Sequence, residues 1–193
     1  MFTGIITHLG KVKEKTATRL VIEPEKGLLD KFEKGLSVSI DGICLTVVDY
    51  NKKTFSIDFM PETAKKTNIG QLTVGSTVNC ELPSTGSTFL SGHVVQGHVD
   101  GVGVIKSITP DGNSYLFVFT LPKDLSRYIV PKGSISVNGI SLTVIDISDE
   151  SFSVGIIPHT WDRTMLHTAK IGDKVNIEVD VLAKYIEKLI RNS

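Results

Sequence analysis

The chain has 193 residues, 40% of them hydrophobic, and its 21 basic and 21 acidic side chains cancel to no net charge. That length fills one large core or two small ones, and balanced charge without a run of Lys or Arg gives no electrostatic footprint for nucleic acid or an anionic membrane surface. No stretch approaches the roughly 20 apolar residues that span a bilayer, the opening carries no positive leader, and Cys44 and Cys80 form neither a Cys-x-x-Cys pair nor a disulfide framework, so a cytoplasmic chain is expected.

In chain order, Gly27 to Phe32 predicts a brief helical turn, and Leu36, Val38 and Ile40 then alternate with Ser37 and Ser39 at the period of two that marks a strand. Asn51-Lys52-Lys53 reads as a hairpin turn before Phe55, Ile57 and Phe59, which oppose Ser56 and Asp58. A helical turn follows Pro61, and Val78, Cys80 and Leu82 alternate again. Leu82-Pro83-Ser84-Thr85-Gly86-Ser87-Thr88 has no periodicity and reads as an interdomain connection. Pro110-Asp111-Gly112-Asn113 predicts a turn, after which Tyr115, Phe117 and Phe119 alternate with Leu116 and Val118. Helical turns are expected after Pro122 and Pro158, and Ser148-Asp149-Glu150 reads as another hairpin turn. At the end, Val181, Leu182, Tyr185, Ile186, Leu189 and Ile190 recur at helical spacing behind Asp180, which is placed to cap the first turn. That helix packs on its own barrel or docks on another subunit.

These elements occur twice. Asp41-Gly42-Ile43-Cys44-Leu45-Thr46-Val47 returns as Asn138-Gly139-Ile140-Ser141-Leu142-Thr143-Val144, and one constant shift pairs Gly42 through Glu81 with Gly139 through Glu178 without a gap. A repeat of about half the chain predicts two copies of one domain. Many short strands broken by Gly, Asn and Asp predict an all-β protein: two similar antiparallel Greek-key barrels and a C-terminal helix. The expected division is 1–88, 89–180 and a helix over 181–193.

The copies differ inside the signature, where Cys44 faces Ser141. Two similar concave sites of unequal chemistry suit an enzyme that holds two similar molecules and treats them differently. Cys44 reads either as a buried small apolar residue or as an accessible nucleophile; Cys80, matched by Ile177, reads as structural. Leu90 to Gly101 carries His93, His98 and Asp100 among glycines, a grouping able to move protons. It lacks a complete metal-ligand set, no Gly-x-Ser-x-Gly elbow presents a serine nucleophile, and Gly101-Val102-Gly103 has neither the third glycine nor the context of a dinucleotide fingerprint.

Met1-Phe2-Thr3-Gly4-Ile5, the paired Gly-Ile-Cys-Leu-Thr-Val and Gly-Ile-Ser-Leu-Thr-Val, and Gly92-His93-Val94-Val95-Gln96-Gly97-His98-Val99-Asp100-Gly101 together resemble the riboflavin synthase family of the duplicated-barrel type over nearly the whole chain. The resemblance implies a transferase that dismutates two molecules of 6,7-dimethyl-8-ribityllumazine by four-carbon transfer, giving riboflavin and 5-amino-6-ribitylamino-uracil. It implies no metal or redox cofactor, and a homotrimer whose catalytic pocket pairs come from neighbouring subunits. Carried over by position, one pocket comprises Gly4, Ile5, Ile6, Cys44, Leu45 and Thr46 with Asp58, Phe59, Met60, Pro61, Glu62 and Thr63. The other comprises Gly97, His98, Val99, Ser141, Leu142 and Thr143 with Gly155, Ile156, Ile157, Pro158, His159 and Thr160, and Lys132 nearby. His98 is expected to shuttle protons and Cys44 to attack or polarise the acceptor ring, while Ser37 and Asp180 match positions implicated in the family.

Three departures stand out: Ser91 in place of a glycine, His159 in place of a glutamate beside Thr160, and a short tail ending at Ser193. The runner-up reading is a lumazine or flavin carrier without catalysis. Such relatives lose the central histidine motif, which this chain keeps. A nucleic-acid-binding barrel would want a basic groove with exposed aromatics, against 7% aromatic content here.

Overall fold

The computed structural model describes residues 1–191. Strands β1 (His8–Lys15), β2 (Arg19–Pro24), β3 (Ser37–Ile40), β4 (Ile43–Tyr50), β5 (Phe55–Asp58) and β6 (Thr77–Glu81) close a barrel in the order β1-β2-β5-β4-β3-β6. The second barrel repeats that order with β7 (Gly101–Asp111), β8 (Ser114–Thr120), β9 (Ser134–Val137), β10 (Ile140–Ile147), β11 (Ser151–Ile156) and β12 (Lys174–Val179). Every pairing is antiparallel, and bulges fall at matching places, between Val47 and Asp49 and between Val144 and Asp146. Closure leaves no strand edge open.

The short helices stand where proline starts them: α1 (Pro61–Lys66) and α2 (Pro158–Arg163), with 3-10 turns at Leu29–Lys31 and Lys123–Tyr128. β7 runs through Pro110 and Asp111, so that turn is narrower than the sequence suggests. Each barrel fills with its own alternating set, Leu20, Ile22, Val38, Phe55 and Ile57 in the first and Phe117, Phe119, Phe152, Val154 and Ile177 in the second.

The faces opposite these cores are only partly solvated. Ser39 and Asn79 of the first barrel and Asn176 of the second are buried where the barrels meet, and Ser136 is buried as well. The two-residue turns Asp41-Gly42 and Asn138-Gly139 lie back to back there, with φ of 46° and 76° in one and 46° and 79° in the other. Two consecutive positive φ values select Asp or Asn followed by Gly. A Cβ on Gly42 would come within 2.6 Å of the Gly139 nitrogen, so the backbones touch.

Helix α3 (Val181–Arg191) begins at Asp180, whose Oδ1 accepts from the Leu182 amide at 2.9 Å. Leu182, Tyr185, Ile186, Leu189 and Ile190 are each more than half exposed along it. Residues 192–193 of the expected helix lie outside the described residues. Among the described residues no helix is long and apolar enough to cross a membrane.

Candidate active site

Strands β4 and β10 leave the touching turns and carry Cys44 and Ser141 to equivalent, half-buried positions, followed by buried Leu45 and Leu142 and exposed Thr46 and Thr143. What faces them is set by two buried carboxylates at the ends of β6 and β12. Glu81 accepts from the amides of Thr3 at 2.7 Å and Gly4 at 3.0 Å. Glu178 accepts from those of Gln96 at 2.7 Å, Gly97 at 2.9 Å and His98 at 3.1 Å. Burial pushes both carboxyls up, and these bonds oppose the rise.

Each opening is therefore held by its own copy's glutamate while its carbonyl reaches across the seam. The Ser141 amide donates to the Gly4 oxygen at 2.8 Å and the Cys44 amide to the Gly97 oxygen at 2.9 Å. Ile6 packs on the second core and Val99 on the first. This overturns the grouping expected from sequence: Gly4, Ile5 and Ile6 belong with Ser141, and Gly97, His98 and Val99 belong with Cys44. The physical reason is that the segment's N–H groups and its C=O groups point to opposite sides, so one copy holds its donors and the other takes its acceptor.

The first pocket is a cavity of about 250 Å³ lined by Cys44, Leu45, Glu62, Thr63, Lys66, Gly97, His98 and Val99. Glu62 and Lys66, one turn apart on α1, form an exposed ion pair at 3.0 Å. Of the other residues assigned here, Phe59 is buried in the core, Met60 and Pro61 are exposed, and Asp58 is held away by Arg19, whose Nε and Nη2 donate to it at 2.6 and 2.9 Å.

Ser141 is covered by glycine backbone, as Cys44 is by Gly97. Cβ atoms on Gly4 and Gly92 would lie 2.6 and 2.8 Å from the Ser141 Cβ. His93 Nδ1 hydrogen-bonds Ser141 Oγ at 2.7 Å, and His93 Nε2 is buried with no partner among the described residues. Burial pulls the His93 imidazole below its usual range, partly countered by the Asp180 charge. Asp180 thus caps α3 and also acts on the histidine. His159 and Thr160 open α2 as Glu62 and Thr63 open α1; Gly155 and Ile157 are exposed and Ile156 is core.

Ser37 pairs in register with Thr46, two places from Cys44 on that strand, and is not brought into the first pocket. Lys132 stands exposed on a positive-φ turn, its amide on the Val144 oxygen. Sequence reading missed Glu81 and Glu178, although their pairing under the repeat was visible, and left His93 without a role.

The lumazine binding domain family matches this chain twice, over residues 3–83 and 96–180. The riboflavin synthase of Actinobacillus pleuropneumoniae is 43% identical, with 98% of this chain and 90% of that protein covered. That of Mycobacterium tuberculosis (strain ATCC 25618 / H37Rv) is 41% identical over 100% of both. The chain belongs to the riboflavin synthase family. Among solved structures, LumP complexed with 6,7-dimethyl-8-(1'-D-ribityl) lumazine is 27% identical at a TM-score of 0.83, and LumP complexed with riboflavin is 28% identical at 0.86. Each covers 93% of this chain and 99% of LumP. The family is enzymatic, and its two lumazine-binding domains coincide with the two barrels.

Proposed function

We infer that this chain is a transferase that takes two molecules of 6,7-dimethyl-8-ribityllumazine, moves four carbons from one to the other, and releases riboflavin and 5-amino-6-ribitylamino-uracil. The observation that carries the mechanism is the crossing of the openings. It makes two pockets on one scaffold and gives each a histidine from the same short stretch.

Atoms balance between the two substrates and the two products, so no external oxidant or reductant is consumed. The chemistry needs two flat rings held in a fixed mutual orientation, which removes the entropy of a bimolecular encounter. It also needs protons moved from a methyl group of one ring and onto nitrogens of the other. In the first pocket His98 is exposed beside Cys44, free to exchange a proton with bound ligand or water, while the Cys44 sulfur can add to or polarise an electron-poor ring carbon. In the second, His93 fixes Ser141 Oγ and can accept its proton. Asp180 supports that imidazole and Lys132 supplies charge from the rim.

Stacking two ligands requires two pockets mouth to mouth, and a homotrimer in which the first pocket of one chain meets the second of its neighbour provides this. The exposed apolar stripe of α3 supports such an assembly, since a lone chain leaves it in water. We also propose that the enzyme acts in the cytoplasm. The test is to incubate the protein with the lumazine alone and follow riboflavin absorbance. Ligand bound at two sites per chain without turnover would favour the carrier reading.

A further inference from the structure

The two turns meet through buried side chains that neither pocket uses. Asp41 Oδ1 accepts from the Asn79 amide at 2.8 Å and Oδ2 from Asn68 Nδ2 at 3.0 Å. Asn68 Oδ1 accepts from Asn176 Nδ2 at 2.9 Å, and that same group donates to the Asp41 carbonyl at 2.8 Å. Asn176 Oδ1 accepts from the Asn68 amide at 2.7 Å, so backbone partners fix the Asn176 carboxamide, and its Nδ2 in turn fixes that of Asn68. Asn138 Oδ1 accepts from the Asn176 amide of its own barrel at 2.7 Å and, across the seam, from Asn68 Nδ2 at 3.3 Å.

Under the repeat, Asp41 corresponds to Asn138 and Asn68 to Met165. The two differences answer each other. Asn138 turns its Nδ2 to the Met165 sulfur at 3.5 Å, an acceptor, whereas position 41 meets a donor, Asn68 Nδ2. An asparagine at 41 would set N–H against N–H in one orientation, and against the Asn79 amide in the other. Only a carboxylate accepts from both.

We propose that Asp41 is a positioning residue for the family's reaction: with Asn68 it locks the two turns together and so holds Cys44 and Ser141, each three residues downstream, at the mouths of their pockets. This rests on the reading of those pockets as reactive. The Gly42–Gly139 contact leaves no slack, and the next cross-seam bonds along the same strands are those of the Cys44 and Ser141 amides. Burial outweighs the two accepted bonds and lifts the Asp41 carboxyl to about 7. Near neutrality the protonated form is thus also populated, with a hydroxyl that finds no acceptor at Asn68. The titratable and charged groups facing Asp41 are the buried Cys80 thiol on β6, and Asp173 and Lys174 across the cavity of about 260 Å³ between the barrels.

Asp41→Asn is compared with the double variant Asp41→Asn/Asn68→Asp, which moves the carboxylate to the other side of the same contact. There it accepts from Asn176 Nδ2 and from the new amide, while Asn138 keeps its bond to the Asn176 amide and loses only the longer one, at 3.3 Å, from Asn68 Nδ2. The single variant should lower kcat about tenfold or more with KM within about twofold. It should also speed iodoacetamide alkylation of Cys44 severalfold, Cys80 being fully buried. The double variant should bring both back to within about threefold of wild type. A single variant with wild-type kcat and alkylation, or a folded double variant that regains neither, overturns the proposal. If the single variant does not fold, a double variant that folds and turns over supports the pairing, and one that also fails to fold overturns it. Wild-type protein that forms no riboflavin overturns the functional reading instead, and alkylation still decides the lock.

Discussion

The first and second pockets share a backbone and differ in nearly every side chain that can do chemistry. Cys44 answers Ser141, exposed His98 answers Ile5, and the Glu62–Lys66 pair answers His159 and Arg163. Among the described residues the buried His93–Ser141 bond has no counterpart in the first pocket, and both histidines come from one segment that straddles the seam. Duplication preserved what places the groups, namely Glu81 and Glu178, the paired turns and the crossing openings. It let the groups themselves diverge. The difference teaches that two copies of one domain can keep equal scaffolding while the groups it carries become unequal.

That comparison can be broken most sharply at Gly97, where φ is +80° and a Cβ would lie 2.6 Å from the Cys44 Cβ. Gly97→Ala should cut turnover at least about a hundredfold by displacing Cys44 and His98. Gly86→Ala, where nothing lies within 4 Å, should leave turnover at the wild-type level. Titrating binding sites in Gly97→Ala should show the first pocket lost and the second retained.

Next comes pH. The Asp41 carboxyl titrates at about 7 in the folded chain against an ordinary 3.8, so the folded state binds more protons in between. Its contribution to stability is complete below about pH 4 and is lost as pH rises through 7, on the order of 4 kcal/mol in all. Glu81 and Glu178, also raised, act in the same sense, whereas His93, lowered, acts in the opposite one. The difference in unfolding free energy between wild type and Asp41→Asn, followed by urea melts from pH 4 to 8, isolates the Asp41 slope. A difference that does not change with pH would refute it.

Cys44→Ser makes the two pockets alike at their central residue. Turnover should fall about tenfold to a hundredfold while lumazine affinity stays within about twofold; unchanged turnover removes Cys44 from the mechanism. The smallest effect belongs to Asp58, whose ion pair with Arg19 is exposed on both sides. Asp58→Asn should leave turnover and the melting temperature unchanged within error, and a marked loss of activity would return Asp58 to the first pocket.

Much of this architecture was legible in the chain. The Asp-Gly and Asn-Gly turns, the period-two strands, the Pro61 and Pro158 helix starts and the Asp180 cap are local rules, each settled within a few residues. The unequal pair Cys44 and Ser141 followed from aligning the copies. The crossed grouping did not, because alternation tells which side chains share a face but not what covers the far face. Ser39, opposite Val38 and Ile40, read as the polar side of an ordinary strand, yet it is buried, and Asn79 and Asn176 bond across the seam.

By itself the sequence determined the duplication, the barrels and the inequality of their two reactive positions, since these rest on short-range periodicity and on residue identity. Only the tertiary structure decided which opening serves which pocket, that Glu81 and Glu178 anchor the openings, and that Asp41 must be an acid because Asn68 faces it. Those are contacts between residues dozens of positions apart, made when two barrels pack back to back and bury donors that then need acceptors from the facing stretch of chain.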